Sequence, residues 1–219
     1  MRIDVTFAQT DIEMRPVFDV VIPIDTGAVS VQAFLDGSIS GRYVSDKIIR
    51  LRTGAFCNCE NLTYVSFPNC TKLDGFRQFS ECSKLTAINL PKLETITDGN
   101  QNFTYLNVNE ISLPSLTKIT SSNATFTNCK YVRKISMPLL SGSTLGANCF
   151  NNNYSLHTLI LGGDTLNPLG NTSAFKNAGS QTSGGFRVYV PDNLVDAYKT
   201  ATNWTAFADK IKPMSELEE

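Results

Sequence analysis

Six cysteines and a single histidine are the side chains of this 219-residue chain most able to do chemistry. Cys57, Cys59, Cys70, Cys82, Cys129 and Cys149 invite a disulfide or a metal reading. Cys57 and Cys59 form C-x-C rather than the C-x2-C of a zinc site. No second pair or histidine follows at finger spacing. Cys59, Cys82 and Cys129 instead recur at one position of a repeat, where Asn153 also stands. That slot wants a small buried group, so the thiols read as structural, and in a bacterial cytosol they would stay reduced. His157 lies inside LHTLILG (156–162). Acid–base or triad chemistry would need a nucleophile and a carboxylate converging on it, and the nearest acid in sequence is Asp164. No G-x-S-x-G elbow, phosphate-cradling loop or dinucleotide fingerprint occurs. N-x-[ST] sequons, Asn61 and Asn203 among them, arise by chance in a chain rich in Asn and Thr. The expectation is therefore no catalytic residue, no metal ligand and no cofactor.

Charge narrows the partners. Lys and Arg total 19 against 20 Asp and Glu, a net charge of −1, so there is no basic excess to release counterions from nucleic acid. The longest apolar stretch, Val20 to Ile24, already contains Pro23, far short of the ~20 residues of a membrane span. Residues 1–15 carry three acids and no apolar core of a secretory signal.

The elements that would position any functional group follow from a repeat. Phe56, Phe79, Phe103, Phe126, Phe150 and Phe175 stand 23 to 25 residues apart. Each precedes a short alternating segment: LTYVSFP (62–68), LTAINLP (85–91), VNEISLP (108–114), VRKISMP (132–138), LHTLILG (156–162) and FRVYVP (186–191). From Phe to Pro the first four take 12, 12, 11 and 12 residues, and the last takes 16, with the extra residues around Ser180–Gly184. A period of roughly 20–29 residues with one strand is the size of a leucine-rich coil. The fourth and sixth segment positions, such as Val65 and Phe67 or Ile88 and Leu90, share one strand face, which stacking alone can bury. Pro ends the strand because it offers no N–H. Leu93, Leu116 and Leu140, with Ile96 and Ile119, supply a second apolar row after the Pro.

The composite AFxxCxxLxxIxLPxLxxI resembles the BspA-type leucine-rich repeat of bacterial surface proteins over residues 45–191. The resemblance implies an α/β solenoid, right-handed, of about six coils, displayed for binding of proteins or glycans. Residues 192–219 read as a C-terminal helical cap and tail, with Asp192 capping one helix and Trp204, Phe207, Ala208 and Ile211 on a second that Pro213 ends. This segment is also similar to the terminal segment of BspA-type proteins from gut Firmicutes and their phages. Residues 1–44 fall outside the repeat and read as an N-terminal β module, either capping the first coil or docking to another protein. Their opening resembles N-terminal modules of phage structural proteins.

Alternation also says which strand residues face outward. One row is Tyr64, Ala87, Glu110, Lys134, Thr158 and Arg187. The other is Ser66, Asn89, Ser112, Ser136, Ile160 and Tyr189. Rungs ~4.8 Å apart make these two exposed ladders, with Glu110 able to pair with Lys134. Tyr64, Ser66, Asn89, Glu110, Lys134, Ile160, Arg187 and Tyr189 are the candidate binding residues on this face; the alternative is a plain solvated sheet. The expected function is non-catalytic recognition or attachment. With no export signal seen, a fibre or decoration component of a phage virion is favoured, docked to other virion proteins through residues 1–44. A cell-surface adhesin or a structural homo-oligomeric scaffold is the alternative.

Overall fold

The computed structural model describes residues 28–29 and 39–218. Its strands, numbered along the chain, form two parallel walls. The back wall holds β1 (Ala28–Val29), β3 (Arg50–Arg52), β5 (Lys72–Asp74), β7 (Thr95–Ile96) and β9 (Lys118–Ile119) in that spatial order. In later coils it thins to isolated bridges, Ser122 with Leu145 and Leu145 with Leu169. The front wall comes in two parts. The first is β2 (Gly41–Val44), β4 (Leu62–Ser66) and β6 (Ala87–Asn89). The second is β8 (Glu110–Ser112), β10 (Lys134–Met137), β11 (Thr158–Leu161), β12 (Arg187–Val190) and β13 (Ile211–Pro213). Every strand pairing is parallel, as a coil that returns to the same wall once per repeat requires. The post-Pro row packs inside: Leu93, Leu116 and Leu140 are fully buried, and Leu73 pairs across to Ile96 and Ile96 to Ile119.

No strand pairing joins β6 to β8. This is the coil with eleven residues from Phe103 to Pro114 instead of twelve. The back wall crosses the same point unbroken through β7 and β9.

The six phenylalanines form one internal column. Ring centroids from Phe56 through Phe79, Phe103, Phe126, Phe150 and Phe175 are successively 5.6, 5.7, 5.4, 5.6 and 5.1 Å apart. The planes differ by 20° at most, so the rings stack offset down the core. Each turn that carries a Phe is also stitched to the next coil by backbone: the Phe126 N–H donates to the Cys149 carbonyl at 2.9 Å, and Phe79 does the same to Asn102.

These turns have a feature the repeat pattern alone did not reveal. Residues two before the Phe (Arg77, Gln101, Ala124, Asn148) and two after it (Asn58, Glu81, Tyr105, Asn128, Asn152, Asn177) have φ between 55° and 64°. L-residues avoid this region, asparagine least. Asn fills the second slot in four coils, and in the later ones the amides form a chain. Asn152 Nδ2 donates to Asn128 Oδ1, and Asn177 Nδ2 to Asn152 Oδ1, each at 2.9 Å.

Both ends depart from the expectation. The boundary at residue 44 falls after a rung that already belongs to the front wall. β2 pairs with β4, and Tyr43 takes the inward slot opposite Val65. Tyr43 is fully buried, with its ring 5.5 Å from Phe56 and 5.7 Å from Phe67. This rung lacks the Pro that marks the later coils, but Ala33-Phe34 stands 22 residues before Ala55-Phe56, and Tyr43 follows Phe34 by nine residues as Val65 follows Phe56, a repeat signal that the sequence reading missed. Of the rest of the expected N-terminal module, β1 pairs with β3 on the back wall, and residues 1–27 and 30–38 lie outside the described residues. After Pro191 come a 3-10 turn (Asp192–Leu194), α1 (Val195–Thr200), a 3-10 segment (Trp204–Lys210) and then β13, so Ile211 is on a strand rather than a helix. It extends because Val188 offers it a parallel partner on β12. Asp192 opens the 3-10 turn but makes no side-chain cap; its carboxylate accepts from the Ser215 N–H at 3.1 Å. Tyr198 and Trp204 are fully buried and grip the fifth coil through Asn167. Its N–H donates to Tyr198 Oη at 3.0 Å, and its carbonyl accepts from Trp204 Nε1 at 2.9 Å. No helix among the described residues is long and apolar enough to cross a membrane.

Candidate recognition surface

Strand alternation sends one face of the front wall inward and the other outward, and the register lines the outward residues up. Tyr64 stands opposite Ala87 and Ser66 opposite Asn89. Beyond the seam, Glu110, Lys134, Thr158 and Arg187 follow one another on successive rungs, as do Ser112, Ser136, Ile160 and Tyr189. All eight candidate residues thus lie on two rows, but the seam between β6 and β8 splits each row into a short and a long segment. Lys134 Nζ is 3.6 Å from Glu110 Oε1, both side chains about half exposed. An ion pair of this kind contributes little to stability, ~0–1 kcal/mol, and mainly fixes where the charges sit.

Two of the candidates are not exposed. Ser66 retains 7% of its accessible surface and Ile160 5%. Ser66 is short and lies between Val44 and Asn89 on the adjoining rungs, and its hydroxyl accepts from Asn89 Nδ2 at 2.8 Å. Ile160 lies beside the larger Tyr189 and packs down between rungs. Both belong to the support of the face rather than to its contact surface. The rows also run further than the repeat indicated. Arg42 precedes Tyr64, with its guanidinium 3.9 Å above the Tyr64 ring, a cation–π contact that holds the ring in place. Lys212 follows Tyr189 on β13. Arg42 stands eight residues after Phe34 as Tyr64 does after Phe56, a signal the repeat reading missed, whereas Lys212 lies beyond the last repeat.

The groups that could have done chemistry are placed otherwise. All six cysteines are buried, and none is in a disulfide. Cys82 Sγ donates to the Phe56 carbonyl and Cys129 Sγ to the Phe103 carbonyl, each at 2.9 Å, so this slot links a coil to the Phe turn before it. Asn153 serves the same slot differently: its Oδ1 accepts from the Cys129 N–H at 2.9 Å. Burial pushes the Cys129 thiol up to about 12, and those of Cys70 and Cys149 up to about 11. The Cys82 thiol is raised by its hydrogen bond with Cys59 and by burial. Thiols held protonated in this way are poor nucleophiles and poor metal ligands. Among the described residues no group of three metal-ligating side chains converges. His157 is exposed, and its Nδ1 lies 3.1 Å from the neighbouring Thr158 hydroxyl. Asp164 accepts from the Ser141 and Thr165 hydroxyls instead.

The profile of the BspA type leucine rich repeat region matches residues 49–182 in six copies. Among solved structures, a leucine-rich repeat protein of T. pallidum is 22% identical, with a TM-score of 0.46 over 59% of this chain and 68% of that one. A leucine-rich cell surface protein from Faecalibacterium prausnitzii is 19% identical, with a TM-score of 0.36 over 57% of this chain and 40% of its own length. No curated protein matches the chain.

Proposed function

The chain belongs to the BspA-type leucine-rich repeat family, and from that premise we propose that it is a non-catalytic recognition protein whose front wall contacts a protein or glycan ligand. The observation that carries this reading is the unbroken outward register from Glu110 to Arg187 and from Ser112 to Tyr189. A rigid sheet holds polar, charged and aromatic groups at fixed spacing, so no backbone has to be ordered on binding. Tyr64, Lys134, Arg187 and Tyr189 are the contact groups, with Asn89 and Glu110 beside them. Tyr and Arg are the residue types that most often anchor binding surfaces. Binding of the labelled chain to whole bacterial cells and to an immobilised glycan panel tests it. The Tyr64→Ser and Tyr189→Ser variants should weaken capture while leaving the circular dichroism spectrum unchanged. A concentration-independent oligomer in light scattering that hides this face would favour a scaffold instead.

The finer placement is a fibre or decoration component of a phage particle, docked through residues 1–44 and capped by residues 192–219. It is supported by the likeness of the opening segment to phage structural modules. Mass spectrometry of purified particles tests it, and absence of the chain from them removes it.

A further inference from the structure

The sixth coil spends its extra residues beside the front wall. From Phe175 to Pro191 it takes sixteen residues, against eleven or twelve in the first four coils. The added loop is braced at several points. Gln181 N–H donates to the Tyr154 carbonyl at 2.9 Å, and Thr182 Oγ1 to the Gly179 carbonyl at 2.8 Å. Arg187 Nη1 donates to the Gly184 carbonyl at 2.6 Å. Gly179, Gly184 and Gly185 take φ of 64°, 78° and 70°, which a bulkier residue would resist. The loop is thus a fixed wall.

It closes one side of a groove whose floor comes from the fourth and fifth coils. Arg133, Lys134 and His157 line it together with the hydroxyls of Ser155, Thr182 and Ser183. Arg133 and His157 occupy the same slot of neighbouring coils. The His157 N–H donates to the Arg133 carbonyl at 2.9 Å, which sets their side chains one rung apart, ~4.8 Å. No carboxylate lines the groove. Lys134 shares its charge with Glu110 at 3.6 Å. Among the described residues Arg133 has no acid within ion-pair distance. An exposed guanidinium without an acid, flanked by an imidazole and three hydroxyls, is complementary to a carboxylate carried on a polyhydroxylated body.

We propose that this groove binds an acidic oligosaccharide, with the sugar carboxylate forked onto Arg133 and ring hydroxyls bonded to Ser155, Thr182 and Ser183. The inference rests on the recognition reading above and names its ligand class. An acidic peptide fits less well. β10, β11 and β12 are each paired on both sides, so no strand edge is open to a peptide backbone, and no apolar side chain lines the groove to seat a peptide anchor.

Calorimetric titration of the whole chain tests this with three carboxylated probes: oligogalacturonate, oligoglucuronate and N-acetylneuraminate oligomers. The neutral galactose oligomer and hexaglutamate serve as comparators. At least one carboxylated probe should bind about tenfold or more tightly than both comparators, and more weakly as salt rises. Arg133→Ser should weaken that binding about tenfold or more. Arg133→Lys, which keeps the charge and loses the fork, should fall between. Arg133 is exposed, so its substitution spares the fold. Binding of none of the three acids, equal binding of the neutral sugar, tighter binding of hexaglutamate, or an unaltered Arg133→Ser variant each overturns the inference. If the chain still binds cells through Tyr64 and Tyr189 in that case, the ligand class fails and the recognition reading stands. If cell binding fails too, both fall.

Discussion

Phe126→Ala is the sharpest test of how the coils hold together. Phe126 is fully buried near the middle of the ring column, 5.4 Å from Phe103 and 5.6 Å from Phe150, with interplanar angles of 7° and 3°. Truncation removes two stacked contacts, about 0.5–1.5 kcal/mol each, and leaves a cavity that rigid neighbouring coils cannot fill. The total loss should be about 3–5 kcal/mol. For a chain of this size that lowers the melting temperature by roughly 6–20 °C. A one-dimensional array adds a second expectation. Coils one to three and coils four to six are coupled through the lost contacts, so the urea transition should broaden as well as shift. Phe126→Leu keeps much of the volume but not the stack, and should cost about 1–2 kcal/mol. Tyr131→Ser, at a side chain 59% exposed, is the control and should change stability by less than about 0.5 kcal/mol. Urea melts followed by circular dichroism decide the matter. If Phe126→Ala costs less than about 1 kcal/mol, the column is not what couples the coils and the reasoning is refuted.

Five further outcomes follow from the same structure. Native protein at pH 8 should react slowly with a thiol reagent, Cys57 first because it retains 8% of its surface, and urea should release all six thiols at once. Because the folded Cys129 thiol lies at about 12, above its unfolded value, its contribution to stability is whole below about pH 8.5 and is lost as pH climbs toward 12. Urea midpoints should therefore fall from pH 9 to pH 11. Asn153→Ala orphans the buried Cys129 N–H and should cost about 1–3 kcal/mol by urea denaturation. Gly162→Ala would set a Cβ 2.3 Å from the Pro138 carbonyl oxygen, and a loss of about 1–3 kcal/mol in the same assay is expected. Glu110→Gln, which breaks only an exposed ion pair, should move the melting temperature hardly at all, under about 1 kcal/mol in stability.

The sequence carried the coil spacing because each Phe and each strand solves the same burial problem once per turn, so the solution repeats. The outward rows were legible for the same reason: period-two alternation fixes the face of Lys134 once Ile135 is known to be inside. The shortened third coil was visible too, although what it does to the front wall needed the register. Where a residue answered a local problem, the pattern was silent. Tyr43 holds the inward slot opposite Val65 with a larger, aromatic body, and Ile211 becomes a strand only because β12 presents an unpaired edge. The depth of Ser66 and Ile160 depends on the sizes of neighbours a whole coil away, which alternation does not encode. Asn at the left-handed turn positions was a readable signal, since four of the six coils share it, but its meaning lies in a backbone conformation rather than in hydrophobicity.

At the coil that is one residue short between Phe103 and Pro114, the two walls of this molecule are bound unequally. Where β6 and β8 face each other the front lacks strand bonds, while behind them β7 remains tied to β9 and Phe79 still rests on Phe103. In front, the two halves are joined beside the seam by the Asn107 N–H on the Leu85 carbonyl at 3.2 Å and Ser115 Oγ on the Pro91 carbonyl at 2.7 Å. Strand pairing therefore sets the spacing from Lys134 to Arg187 but not that from Tyr64 to Lys134. A partner long enough to touch both halves would meet two separately ruled scales rather than one.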